Sequence, residues 1–218
     1  KALEFFESSK ILLKKHEPFL EKYVSSLILE NKVQKAINLV KKNRANQNLI
    51  FFDSYLLLII DNLKNGKLEE SLNLVSEALS KEKGDRLNLA ILETLKQYIL
   101  VFKEKRLLKE KKDFGQLSFI SETFQRCYLN DDKTESFFLN LINNETLNLS
   151  RYTYFYLSFL VEKKRIDEVK KITNEIEFIN SPLLLSQGKD WIDKGEFYKF
   201  NEIFSFKNRN DLIGEFLF

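Results

Sequence analysis

The sequence predicts an all-α fold, a right-handed α-solenoid of antiparallel helix pairs. Three observations predict it. A small residue recurs in one local setting at Ala2, Ala36 and Ser71, 34 and 35 residues apart, each followed four positions later by a bulky apolar one, Phe6, Val40 and Val75. Repeats of that length are the signature of stacked helix-turn-helix units. Apolar residues also fall at i, i+3, i+4 and i+7 in paired segments. Finally, six Gly and two Pro in 218 residues leave little material for hairpins or flexible linkers. Units of this kind bury their apolar faces only against neighbours, so the core grows with their number.

Taken in order, residue 2 already holds the small position of a second helix, so the first repeat is expected to be truncated. The first complete pair runs 19–30, striped by Leu20, Tyr23, Val24, Leu27 and Ile28, and 33–43, striped by Val33, Ala36, Ile37, Leu39 and Val40. Pro18 suits a first helical turn, where its missing N–H is not needed. The second pair is 51–65 and 67–81, joined at Gly66. A strong helix follows over 86–102, with Leu87, Ala90, Ile91, Thr94, Leu95 and Tyr98 along one side.

Segment 103–112 is basic, with Leu107 and Leu108 its only apolar residues, and the pattern breaks there. A helix resumes near Phe114 and runs through Leu117, Ile120, Phe124 and Tyr128; Asp131 or Asp132 is the expected cap of 133–143. Between 103 and 149 the 34-residue spacing is lost. It returns with Ser150 capping 151–162, then Ile166, Val169, Ile172 and Ile176 along the next helix. Ser181-Pro182 opens another, which runs through Trp191 to a turn at 194–197. The apolar end, 212–218, has no polar capping turn, so truncation is expected there too. The organisation that follows is N-terminal repeats over 1–102, an irregular helical insert over 103–149 and C-terminal repeats over 150–218. Faces left open at the ends, Phe216 and Phe218 among them, are expected to favour self-association.

The turns Asn65-Gly66-Lys67-Leu68 and Lys194-Gly195-Glu196-Phe197 are shared with a known family, as are Glu69-Glu70 before Ser71 and the second small residue Ala78. On these residues the chain resembles bacterial tetratricopeptide-repeat proteins, over 1 to about 81 and again from about 150 to 207. The resemblance implies a concave surface that binds peptides or other proteins. Two features depart from the family pattern. Val24 and Ile59 replace its Gly or Ala in the middle of the first helix, and Pro182 falls near but not on its closing Pro. The family's carboxylate clamp for chaperone tails needs Lys, Asn or Arg where this chain has Glu21, Ser25, Leu56 and Ile60, so no clamp is expected.

Little in the sequence points to chemistry. Cys127 is the one cysteine, which excludes an internal disulfide and is compatible with the cytoplasm, the location expected. The longest apolar run, 55–60, is far short of the roughly 20 residues of a membrane span. His16 has neither a second His nor a Cys near it in sequence for metal or acid–base work, and reads as a solvated inter-helix residue. Cys127, beside Arg126, reads as a small buried hydrophobe. No two glycines lie within three residues, so neither a dinucleotide turn nor a Walker loop can be written. Asp131-Asp132 lacks the alternating ligands of a calcium loop. The triplets Asn144-Glu145-Thr146 and Asn148-Leu149-Ser150 match the glycosylation pattern and carry no weight. Tyr152, Phe155, Tyr156 and Phe159 share one helix side and read as core, whereas Tyr154 stands off that side and is expected to be exposed.

The function expected is a non-catalytic scaffold that binds a protein or peptide partner on a rigid helical face, with no cofactor, metal or small-molecule substrate. The residues expected to make contact are Glu21, Ser25, Ile28, Asp53, Leu56 and Ile60. Two alternatives stand beside it. One is an RNA-binding helical repeat of the pentatricopeptide type, which would place polar base-reading residues where Leu56 and Ile60 are apolar. The other is the regulatory repeat region of a larger enzyme such as a glycosyltransferase. Lys105, Arg106, Lys109, Lys111 and Lys112 form a candidate patch for an anionic partner. A net charge of +3 gives no reason to expect nucleic acid.

Overall fold

The computed structural model describes residues 2–14, 17–44, 51–82, 84–143, 150–175 and 183–217. Helix takes up 79% of them and no strand occurs among them, so the chain is all-helical. It divides into two compact units, Lys1–Lys103 and Glu104–Phe218. His16, residues 144–149 of the two glycosylation triplets, Ile176, Ser181, Pro182 and Phe218 lie outside what is described, as do the side chains of Ala2 and Ser150.

The first unit opens with α1 (Ala2–Ser8) and a 3-10 helix (Lys10–Lys14). Then come α2 (Glu17–Leu29), α3 (Val33–Asn43), α4 (Phe52–Lys64), α5 (Leu68–Lys81) and α6 (Arg86–Glu104). Helix α2 packs on α3 and α4 on α5, while α2 and α3 both rest against α4. Burial on α6 differs from the expected stripe. Leu87 is 66% exposed, and Leu92 and Ile99 are buried off that stripe. A helix apolar on most sides is buried on most sides.

The second unit holds α7 (Gln116–Leu129), α8 (Thr134–Ile142), α9 (Ser150–Glu162) and α10 (Ile166–Glu175). It ends with α11 (Leu183–Asp193), α12 (Tyr198–Ile203) and α13 (Arg209–Leu217). Helices α8, α10, α11 and α12 all pack on α9, whose residues from Tyr154 to Val161 are buried without interruption. That enclosure corrects the expectation for Tyr154. The ring is 0% exposed, stacks on Phe200 at 5.3 Å and meets the edge of Trp191. Periodicity found one buried side of α9, but neighbours on several sides leave no solvent face for the off-stripe ring.

Five helix pairs share one turn. Asn31, Gly66, Asn130, Lys164 and Gly195 all have φ between 59° and 73°. At each, the N–H of that residue bonds the carbonyl three residues back, as in Gly66 to Leu63 at 3.0 Å. The next N–H reaches the carbonyl five back, as in Lys67 to Asn62 at 2.9 Å. The same pair of bonds closes at Asn31 and Lys32, Asn130 and Asp131, Lys164 and Arg165, and Gly195 and Glu196. This doubly bonded left-handed cap satisfies two carbonyls of the ending helix and reverses the chain. The turns at Asn31 and Gly66 are 35 residues apart, those at Asn130 and Lys164 34, and those at Lys164 and Gly195 31. The turn at Asn130 joins α7 to α8 within the stretch where the apolar pattern loses its spacing. There Asp131 also accepts the Lys133 N–H at 2.9 Å, so its carboxylate acts just ahead of α8 rather than as its side-chain cap.

Packing behind these turns is reciprocal in size. Val24 and Ala36, Ile59 and Ser71, and Gly188 and Phe200 are buried pairs, each twelve residues apart. In the first two the large residue is on the earlier helix; in the third the order is reversed. Ser71 Oγ donates to the carbonyl of Lys67 at 2.9 Å and lies 3.4 Å from that of Ile59. At the reversed site, a Cβ on Gly188 would stand 3.2 Å from the Tyr154 ring and 3.3 Å from that of Phe200. The glycine makes room for the phenylalanine.

Candidate functional site

Helices α2 and α4 carry the six residues expected to make contact, and these two helices pack together. Aligned on Asn31 and Gly66, Glu21 and Ser25 of α2 correspond to Leu56 and Ile60 of α4. Glu21, Ser25 and Leu56 are half-buried; Ile28, Asp53 and Ile60 are exposed. Ser25 Oγ donates to the Glu21 carbonyl at 3.0 Å. Asp53 lies in the first turn of α4, where the positive end of the helix dipole favours a carboxylate. The face therefore offers apolar side chains flanked by two carboxylates and a hydroxyl. It can seat an apolar residue and accept hydrogen bonds from groups beside it.

Other polar groups nearby are engaged in holding the unit. Asp61 takes Lys41 at 2.7 Å. Glu77 accepts from the Tyr55 hydroxyl at 2.8 Å and from Arg44 at 2.8 Å, tying α3, α4 and α5 together. Burial pushes the Tyr55 hydroxyl up from its ordinary value, and the Glu77 charge adds to this.

In the second unit the basic segment turns largely onto the chain itself. Lys105 donates to the Tyr128 hydroxyl and stands over the same ring. Arg106 meets Glu104 at 2.6 Å, and Lys111 bonds Glu122, which also takes Arg126. Lys109 and Lys112 are exposed. Sequence reading missed Lys207 and Arg209. Lys207 Nζ donates to the carbonyls of Cys127 and Tyr128, at 3.1 and 3.3 Å, at the negative end of α7. Arg209 reaches the Tyr128 hydroxyl at 3.3 Å. Burial alone would raise that hydroxyl's pKa; the hydrogen bonds from Lys105 and Arg209 outweigh it, and the pKa lies below its ordinary value. A separation of 80 residues gave no sequence signal for this meeting.

Cys127 is buried, and burial pushes its thiol well above the ordinary range, which removes thiolate chemistry near neutral pH. Among the described residues no group of three or more His, Cys, Asp or Glu is placed to hold a metal, and no helix is long and apolar enough to cross a membrane. Compared with protein-family models, curated proteins and solved structures, the chain matches none.

Proposed function

We propose that this chain is a right-handed solenoid of tetratricopeptide type that acts as a non-catalytic scaffold, binding a peptide or protein partner across the α2–α4 face. The observation that carries it is a face that, among the described residues, leaves Ile28, Asp53 and Ile60 exposed and Glu21, Ser25 and Leu56 partly so. Two helices aligned by identical turns present Leu56, Ile60 and Ile28 beside Glu21 and Asp53. The recurring turn supports the repeat assignment, and rigid helix pairs suit the role because little ordering is left to occur on binding.

The test is an affinity pull-down with mass spectrometry, run in parallel on the full chain and on Leu56→Glu/Ile60→Glu. Both positions are at least partly exposed, so the variant should fold, which circular dichroism checks. The expected result is a specific partner retained by the parent and lost by the variant. Equal recovery of all partners by both would remove this face from the account.

A further inference from the structure

The outer line of α4 is charged at both ends and apolar between them. Asp53, Ile60 and Lys64 are the exposed residues of this helix. At about 100° per residue they fall within about 40° of arc, with Leu56 beside Ile60. Asp53 stands in the first turn and Lys64 in the last, about 16 Å apart along the axis. The other carboxylate of α4, Asp61, is turned about 80° away from Asp53 and is held by Lys41 at 2.7 Å. Neither Asp53 nor Lys64 has an ion-pair partner among the described residues. On α2, aligned by the turns, Glu21 is level with Leu56, and Leu29, 87% exposed, is level with Lys64. Lys22 adjoins Glu21 but projects about 100° from it around α2. Asp53 and Lys64 each suit the dipole of α4 at their own end, but the dipole supplies neither with a counter-ion.

We infer that the α2–α4 face fixes the direction of its occupant, a peptide segment of a partner protein that is basic at the Asp53 end, apolar against Leu56 and Ile60, and acidic at the Lys64 end. This rests on the partner-binding role proposed above for the same face. Charge complementarity selects the order. A segment laid the other way would set its carboxylate against Asp53 and Glu21 and its cation against Lys64. A uniformly basic or uniformly acidic segment would match one end and be repelled at the other. The distance between the charged ends is that of about five extended residues, so one short segment reaches both.

The experiment is selection of displayed random peptides on the full chain, followed by anisotropy titrations of the winners. Three chains are titrated: the parent, Leu56→Glu/Ile60→Glu, and the charge-exchanged pair Asp53→Lys/Lys64→Glu. Winners should carry Lys or Arg on one side of an apolar anchor and Asp or Glu on the other, always in one order. Exchanging the two charged ends of a winner should weaken it about tenfold on the parent. The charge-exchanged chain should instead prefer the reversed peptide by a similar factor. A gain of that kind does not arise from a loosened helix, so it separates recognition from a merely structural role of the two residues. Winners that keep their affinity for Leu56→Glu/Ile60→Glu bind elsewhere, and that result would remove the proposed face itself. Winners lost in that variant but indifferent to the order of their charges would overturn the inference alone. So would a charge-exchanged chain that keeps the parental preference, or a selection that enriches no peptide.

Discussion

Lys164 and Lys105 are the two lysines with a left-handed backbone among the described residues, and Lys164 is the one that holds a turn between paired helices. Its φ of 60° is open to glycine at no steric cost and tolerated by asparagine, the residue types that hold the other four turns. Lys164→Gly should therefore stabilise the second unit by about 1 kcal/mol, a gain measurable in urea as a higher midpoint at unchanged slope. An unchanged or lower midpoint would mean that the left-handed turn is not formed there. Glu135 gives a residue-scale test in pH. Hydrogen bonds from Arg165, at 2.7 and 2.8 Å, hold its carboxyl below the ordinary value against the opposing pull of burial, and the Tyr156 hydroxyl adds a third bond at 3.2 Å. A pKa depressed in the folded state contributes stability that is present above the unfolded value, about 4.3, and disappears as pH falls through the folded one. Glu135→Gln should then be less stable than the parent at pH 7, with the gap closing as pH drops below 4. A gap independent of pH would show that the bridge carries no linkage.

At the scale of elements, the paired buried positions explain both what the sequence disclosed and what it hid. Ala36 and Ser71 were found by their spacing, because a small buried residue in a periodic stripe is conspicuous. Phe200 was not, because the large and small partners have changed places and the small one is Gly188. A search for small residues in second helices passes over that reversal. Ala36→Phe should destabilise the first unit by about 1–3 kcal/mol or more, the usual cost of overpacking, since Ala36 is fully buried. Gly188→Ala gains up to about 1 kcal/mol of helix propensity but presses on two stacked rings, and should lose on balance. Combining it with Phe200→Leu should restore part of that loss in a double-mutant cycle. Strict additivity would show that the two positions are not partners. The pair α7–α8 was hidden for a different reason. Helix α8 begins four residues after Asn130, whereas the other second helices begin two or three after their turn residue, so the apolar stripe slips out of step while the backbone geometry persists.

For the whole molecule, helix content and the existence of repeated pairs could be read from composition and periodicity, which are local properties of the chain. The enclosure of Tyr154 and the approach of Lys207 and Arg209 to Tyr128 could not, because they depend on which helices meet. Placement on α2 and α4 of the six expected contact positions follows from helical spacing alone. The engaged state of Lys105, Arg106 and Lys111 bears on what kind of partner is expected. Cations already met by Tyr128, Glu104 and Glu122 are poorly placed to release counterions on a phosphate backbone. A partner seated on the α2–α4 face should therefore bind with little dependence on salt, whereas a phosphate-tracking interaction would weaken on the order of a thousandfold between 50 and 200 mM. The most direct measurement is a titration of the captured partner at those two salt concentrations. It compares the parent chain, Leu56→Glu/Ile60→Glu, and a variant with Lys105, Arg106, Lys109, Lys111 and Lys112 all changed to alanine. The account predicts a small salt effect, a loss of tenfold or more in the two-site variant and near-parental affinity in the five-site variant. Steep salt dependence, abolished by the five alanines and untouched by the two glutamates, would contradict it.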